Sequence, residues 1–111
     1  MDESITAALK IFSKSNAFRN WDGKTFESRF NRAIFDVISY CLAEPGLRSA
    51  ALRHRADVLA AFKRVCMDED FRAAVTSTTK SKTAVRIRFS IWASAFGKAI
   101  RKKVALAVPP E

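Results

Sequence analysis

The stretch that decides the fold lies near the end of the chain, where residues 82–104 read KTAVRIRFSIWASAFGKAIRKKV. Its large apolar residues recur every three or four positions, which is the period of one face of an α-helix. These residues are Val85, Phe89, Trp92, Phe96 and Ile100. We predict a helix over 82–104, roughly 34 Å long at 1.5 Å per residue, with Ser81 as its N-cap. A helix with so continuous an apolar face needs neighbours that cover it, so we expect it to be central.

The same periodicity predicts four more helices upstream. The second of them carries the broadest apolar stripe, through Phe26, Phe30, Ile34, Val37 and Cys41, and a broad stripe implies contact with more than one neighbour. We therefore expect this helix to be central too, and Phe30 to be buried. The four predicted helices cover about 3–14, 25–43, 48–67 and 68–76.

Composition agrees with a helical domain. The chain has 111 residues, of which 49% are hydrophobic, but only three Gly and three Pro, whereas an all-β fold needs many more turn residues. We predict an all-α, compact bundle of about five helices, forming a single domain over 1–111 with an ordered core at about 3–104 and a frayed tail at 105–111. No stretch is apolar enough to span a bilayer, and no signal peptide is apparent. The expected compartment is the cytoplasm, where Cys41 and Cys66 stay reduced.

Positive charge is concentrated in the last third of the chain. The net charge is +9, and residues 1–70 hold eleven Lys/Arg against ten Asp/Glu. Residues 71–111 hold nine Lys/Arg and a single acid, Glu111. Such asymmetry is typical of proteins that bind nucleic acid, an acidic protein or an anionic membrane, and a solvated surface is the alternative without a ligand. We favour nucleic acid, then an acidic partner, with a membrane last.

The cations form two groups at the ends of the predicted last helix. Lys80, Lys82, Arg86 and Arg88 surround its start beside several hydroxyls, a combination that often contacts phosphate. Cations at a helix start oppose the helix dipole, so this group is the better candidate for DNA contact. A buried structural arginine is the alternative for Arg86 or Arg88. The second group suits the dipole at the helix end without any ligand; it comprises Lys98, Arg101, Lys102 and Lys103.

Residues typical of enzymes are nearly absent. The one histidine, His54, lies between two arginines on a predicted helix, and a solvent-facing side chain is the simpler interpretation. Cys41, Cys66 and His54 lack the spacing of a zinc site, and the three glycines are isolated, so no phosphate-binding loop is present. We predict a protein that is not an enzyme, with no catalytic residue, no cofactor and no metal ligand.

Several short segments follow one another in a characteristic order. They are AFR at 17–19, RFNRAIFD at 29–36, DFRAAV at 70–75, a Thr/Ser stretch and VRIRF at 85–89. In this order, over about residues 5–100, the chain resembles the helical C-terminal portion of the ParB-like family found at the N-terminus of GmrSD-type, modification-dependent restriction proteins.

That family carries an upstream Asp-Gly-Gln-Gln-Arg motif linked to nucleotide hydrolysis, and many members add an HNH-type nuclease. Neither motif occurs here, so no catalytic residue is transferred. The resemblance implies a helical accessory unit in DNA restriction or phage defence. We expect a non-catalytic basic module that binds DNA or docks to a ParB-like or nuclease protein partner. The alternative is a protein-interaction or scaffolding domain without nucleic-acid contact.

Overall fold

The computed structural model describes residues 3–76, 81–102 and 104. Within them the chain is all-α, with no strand beyond an isolated bridge between Trp21 and Phe26. The radius of gyration of 12.6 Å is close to the roughly 13 Å expected for a compact chain of this length. The helices are α1 (Glu3–Phe12), α2 (Arg32–Leu42), α3 (Pro45–Arg53), α4 (Arg55–Cys66), α5 (Glu69–Thr76) and α6 (Lys82–Ile100).

One apolar core holds these helices together. Helix α6 packs against α4, α5 and α2, while α1 covers α2, α3 and α4. Phe62 lies at the meeting point, with its ring centroid 5.1 Å from that of Phe12, 5.8 Å from Trp92 and 6.3 Å from Phe26. The predicted apolar face of the last helix is confirmed, since Phe89, Trp92, Phe96 and Ile100 are buried and Val85 is partly buried.

The predicted second helix begins too early. Residues 25–31 belong instead to a folded loop, in which the Glu27 N–H donates to the Asn20 carbonyl at 2.8 Å. Asn31 starts α2, because its side-chain oxygen accepts from the Ile34 N–H at 2.9 Å and its amide donates to the Val75 carbonyl at 2.9 Å. Phe30 therefore precedes the helix and is 51% exposed, so the expectation that it is buried is wrong.

The predicted third helix is in fact two helices. It breaks at His54, whose backbone angles of φ −115° and ψ 32° end α3 and precede α4. Helix α3 also starts earlier than predicted, at Pro45, because Pro suits the first helical turn. The Glu44 carboxylate caps it by accepting from the Gly46 and Leu47 N–H groups at 2.9 and 2.8 Å.

The last helix ends at Ile100 rather than Val104. Arg101 adopts a left-handed conformation, with φ 60° and ψ 40°. The Lys102 N–H then donates to the Gly97 carbonyl at 3.0 Å and the Arg101 N–H to the Lys98 carbonyl at 3.3 Å. This is the Schellman end of a helix, at which Gly is usual and an arginine is not. A Cβ at position 97 would lie 2.7 Å from the Lys102 carbonyl oxygen, so the turn closes tightly over Gly97.

Candidate nucleic-acid interface

The exposed side of α6 is a continuous row of cations and hydroxyls. Every exposed residue of this helix is basic or carries a hydroxyl. All of them except Thr83 lie four positions apart in the sequence. Residues four apart on a helix form one ridge on its surface. We call this surface the basic ridge; along α6 it comprises Lys82, Arg86, Ser90, Ser94 and Lys98.

The ridge has a defined direction and length because α6 is fixed on its other side. The core buries Phe89, Trp92 and Phe96, and the Ser81 hydroxyl caps the start of the helix by accepting from the Ala84 N–H at 3.0 Å. Ser81 is thereby confirmed as the N-cap. At 1.5 Å and about 100° per residue, the ridge from Lys82 to Lys98 rises about 24 Å along the helix axis and winds through about 160° around it.

Two further cations extend the basic ridge beyond the end of α6. Arg101 and Lys102 are exposed, and with Ser94 and Lys98 they line an open groove of about 640 Å³. The Glu44 carboxylate lies close enough to Lys102 for that cation to affect its pKa. Its two backbone N–H donors lower the pKa of Glu44 most, and Lys102 and then Arg48 lower it further. Since the Schellman turn sets the backbone of both cations, their position relative to α6 is fixed.

A second groove, between α4 and α6, adjoins the middle of the basic ridge. It has a volume of about 420 Å³, and Arg64 lines it together with Ser90, Ser94 and Lys98. Asp68 also lines it, but its carboxylate already accepts from the Asp70 and Phe71 N–H groups at 2.9 and 3.1 Å. Arg64 escaped the sequence analysis because it belongs to the part of the chain whose charges nearly balance.

Arg88 is a correction to the predicted contacts. It is only 5% exposed and its Nη1 donates to the Ala74 carbonyl at 3.1 Å, at the C-terminal end of α5. Burial lowers the pKa of the Arg88 guanidinium, an effect that the Asp36 carboxylate opposes. The side chain stabilises the end of α5 and does not face solvent, so it cannot contact DNA in this conformation.

The structure otherwise unites the two predicted groups of cations. Lys82 and Arg86 from the first group and Lys98, Arg101 and Lys102 from the second are all exposed along the basic ridge and its extension. Lys80 and Lys103 lie outside the described residues. The sequence analysis missed Ser90 and Ser94, although their spacing of four from Arg86 and Lys98 could have identified them.

Both cysteines are buried, and the histidine lies at the junction of α3 and α4. Burial raises the pKa of Cys41 and of Cys66 to about 12, so both are protonated thiols at neutral pH. His54 Nδ1 lies 3.9 Å from the Asp57 carboxylate, a partly exposed pair on one helix face. No group of three acidic, His or Cys side chains in 3–76, 81–102 and 104 is arranged to hold a metal ion.

None of the described helices has the length and hydropathy required to cross a membrane. We compared the chain with protein-family models, with curated proteins and with solved structures, and none of these comparisons gives a match.

Proposed function

We propose that this chain is a non-catalytic module that binds double-stranded DNA through the phosphate backbone, along the basic ridge. The observation that carries the proposal is the composition of the exposed side of α6. Lys82 and Arg86 precede the two hydroxyls of Ser90 and Ser94, and Lys98 follows them; no acidic residue occurs between Asp70 and Glu111. Lysine, arginine and serine side chains are typical donors to phosphate oxygens.

The start of α6 gives a second reason. Lys82 lies in the first turn of the helix, where the dipole disfavours positive charge. The dipole therefore does not favour a cation at this position, whereas a bound polyanion would. Contacts of this kind position the protein on the duplex but carry no sequence information, so the proposed binding is independent of base sequence.

The setting follows from the resemblance to the ParB-like restriction proteins. On that basis we propose a role in DNA restriction or phage defence, as an accessory unit that places a ParB-like or nuclease partner on DNA. A protein-interaction or scaffolding domain remains the alternative function, and it predicts no affinity for a duplex.

The test measures fluorescence anisotropy of a labelled 30-base-pair duplex over a range of salt concentrations. Five cations on the basic ridge and its extension would give a slope of log K against log salt of about −4.5, since each phosphate contributes about −0.9. The double variants Lys82→Ala/Arg86→Ala and Lys98→Ala/Lys102→Ala should each reduce the slope by roughly two units.

The matched control is Lys10→Ala/Lys14→Ala. It removes the same charge from exposed lysines in and just after α1, a helix that packs on α2, α3 and α4. The control should bind like the wild-type protein. No binding at low salt, or equal losses in the control and in the ridge variants, would contradict the proposal and favour the interaction domain.

A further inference from the structure

A second surface differs in character from the basic ridge. Phe18, Phe30 and Phe35 pack together, with ring centroids 4.9 Å apart for Phe18 and Phe35, 5.6 Å for Phe30 and Phe35, and 6.2 Å for Phe18 and Phe30. We call these three residues the aromatic cluster. Phe18 is buried and Phe35 is partly buried, whereas half of Phe30 faces solvent. The cluster thus presents one large ring on a base of two others.

The loop that carries Phe30 is held in place by hydrogen bonds. The Asn31 N–H donates to the Phe18 carbonyl at 2.8 Å, and Phe18 itself has a positive φ of 63°. The Arg19 guanidinium donates to the Ser28 carbonyl. Because both flanks of Phe30 are anchored, the loop loses little conformational entropy when a ligand covers the ring.

Arginines surround the cluster. Arg29 and Arg32 are exposed on either side of the Phe30–Asn31 pair. The Arg32 guanidinium carbon lies 5.9 Å from the Phe35 ring centroid, and its Nε is 3.2 Å from the Asp36 carboxylate. Arg32 thus already has a carboxylate partner, whereas Arg29, next to Phe30 in the chain, is an exposed cation beside the exposed ring. A ligand that matches this surface carries negative charge beside a flat aromatic face.

The aromatic cluster adjoins the buried side of α6 through the end of α5. Asn31, next to Phe30, donates to the Val75 carbonyl, and Arg88, on the buried side of α6, donates to the neighbouring Ala74 carbonyl at 3.1 Å. The aromatic cluster is therefore a surface separate from the basic ridge.

We infer that the aromatic cluster binds an unpaired base of single-stranded DNA, stacked on Phe30 with its phosphates near Arg29 and Arg32. This extends the proposed function from duplex to unpaired strands, and it rests on that function for the charge that attracts the nucleic acid. Nucleotides combine an aromatic face with an anionic backbone, and stacking on aromatic rings beside arginines is the usual basis of sequence-independent single-strand binding.

The experiment compares a labelled 15-residue oligothymidylate with a 15-base-pair duplex. Phe30→Ala should weaken oligothymidylate binding about 5- to 100-fold, which corresponds to the loss of one stacked base, and change duplex binding less than about twofold. Phe30→Trp should retain single-strand affinity, because it preserves a stacking face. The control is Met67→Ala, since Met67 is similarly exposed at 49%, and circular dichroism verifies that every variant is folded.

Equal oligothymidylate affinity for Phe30→Ala and Met67→Ala would overturn the inference. Binding of polyglutamate that depends on Phe30, without such dependence for oligothymidylate, would also overturn it and identify an acidic protein segment as the ligand. The comparison of the two ligands separates the two proposals. If single-strand binding requires Phe30 but the protein does not bind duplex, the aromatic cluster is supported and the duplex role of the basic ridge is rejected.

Discussion

The two sides of α6 use the same residue type for opposite purposes. Arg86 and Arg88 are two positions apart, yet Arg86 lies on the exposed basic ridge and Arg88 is buried against α5. Two residues correspond to about 200° of rotation on a helix with 3.6 residues per turn. A basic stretch in a sequence therefore does not by itself define a binding surface; the direction of each side chain decides which cations can reach a ligand.

The buried side needs its arginine for a local reason. Helix α5 ends at Thr76, and the last carbonyls of a helix have no partner within it. Arg88 donates to the Ala74 carbonyl and Asn31 to the Val75 carbonyl. The buried side of α6 thus supplies stability, whereas the basic ridge is available for binding. The predictions below test this division.

The largest effect is expected in the core beneath α6. Phe62→Ala should reduce the free energy of unfolding by about 4 kcal/mol, the usual loss for a buried Phe, because its ring contacts Phe12, Phe26 and Trp92. Urea denaturation measures the change. Ser94→Ala on the basic ridge should change stability by less than about 0.5 kcal/mol, and a comparable loss there would contradict the division.

The two arginines give the sharpest comparison. Arg88→Met should destabilise the protein by about 2 kcal/mol, because the α5 carbonyl at Ala74 loses a charged donor within the core. Arg86→Met should change stability by less than about 0.5 kcal/mol, as for most exposed positions. Both variants are compared by urea denaturation, and similar losses would show that Arg86 is also structural.

Alkaline pH should destabilise the core through its two buried cysteines. Burial raises the pKa of the Cys41 and Cys66 thiols to about 12 in the folded state, against about 8.5 when unfolded. Their protonated forms therefore stabilise the fold fully below pH 8.5, and this stability is lost as the pH rises towards 12. At pH 9 the two thiols together should account for a loss of about 1.5 kcal/mol.

The pH dependence can be isolated with a variant. In Cys41→Ala/Cys66→Ala, the decrease in unfolding free energy between pH 8 and pH 9 should be smaller than in the wild-type protein. An unchanged decrease would mean that other groups cause it.

The smallest expected effect is a gain in stability at Arg101, in the extension of the basic ridge. Arg101 has a φ of 60°, a conformation that costs about 1–2 kcal/mol for a residue with a side chain but not for Gly. Arg101→Gly should therefore stabilise the protein by about 1 kcal/mol while lowering the salt slope of duplex binding by about one unit. A variant that gained stability and kept the full slope would remove Arg101 from the DNA contacts.

Helical periodicity predicted most of the fold and failed at the start of α2 and at the break before α4. The face of α6 and its Ser81 cap follow from local sequence alone. Phe26, Phe30 and Ile34 also repeat at helical spacing, but Asn31 starts α2 through its local bond to the Ile34 N–H and through the end of α5, 44 residues away along the chain. The break at His54 has no Gly or Pro to reveal it.

The residues of the candidate site were likewise predicted only in part. The charge asymmetry identified α6 as the source of cations, and Lys82, Arg86, Lys98, Arg101 and Lys102 are exposed along it. Arg88 lies four residues before Trp92, so helical spacing alone could have separated it from them, but its partner, a carbonyl of another helix, could not be predicted from sequence. Arg64 was missed because it belongs to α4, which only folding brings beside the C-terminal half of α6.

The two hydrogen bonds of the Asn31 side chain also have a consequence for how the chain folds. One side chain completes the first turn of α2 and the last turn of α5, through the Ile34 N–H and the Val75 carbonyl. The bond to the Ile34 N–H is local, but the end of α5 gains its donor only after the chain between Asn31 and Val75, 44 positions apart, has closed into a loop, at an entropic cost of about 3 kcal/mol. Core contacts must offset that cost, so the last turn of α5 is completed only once it has packed beside the start of α2.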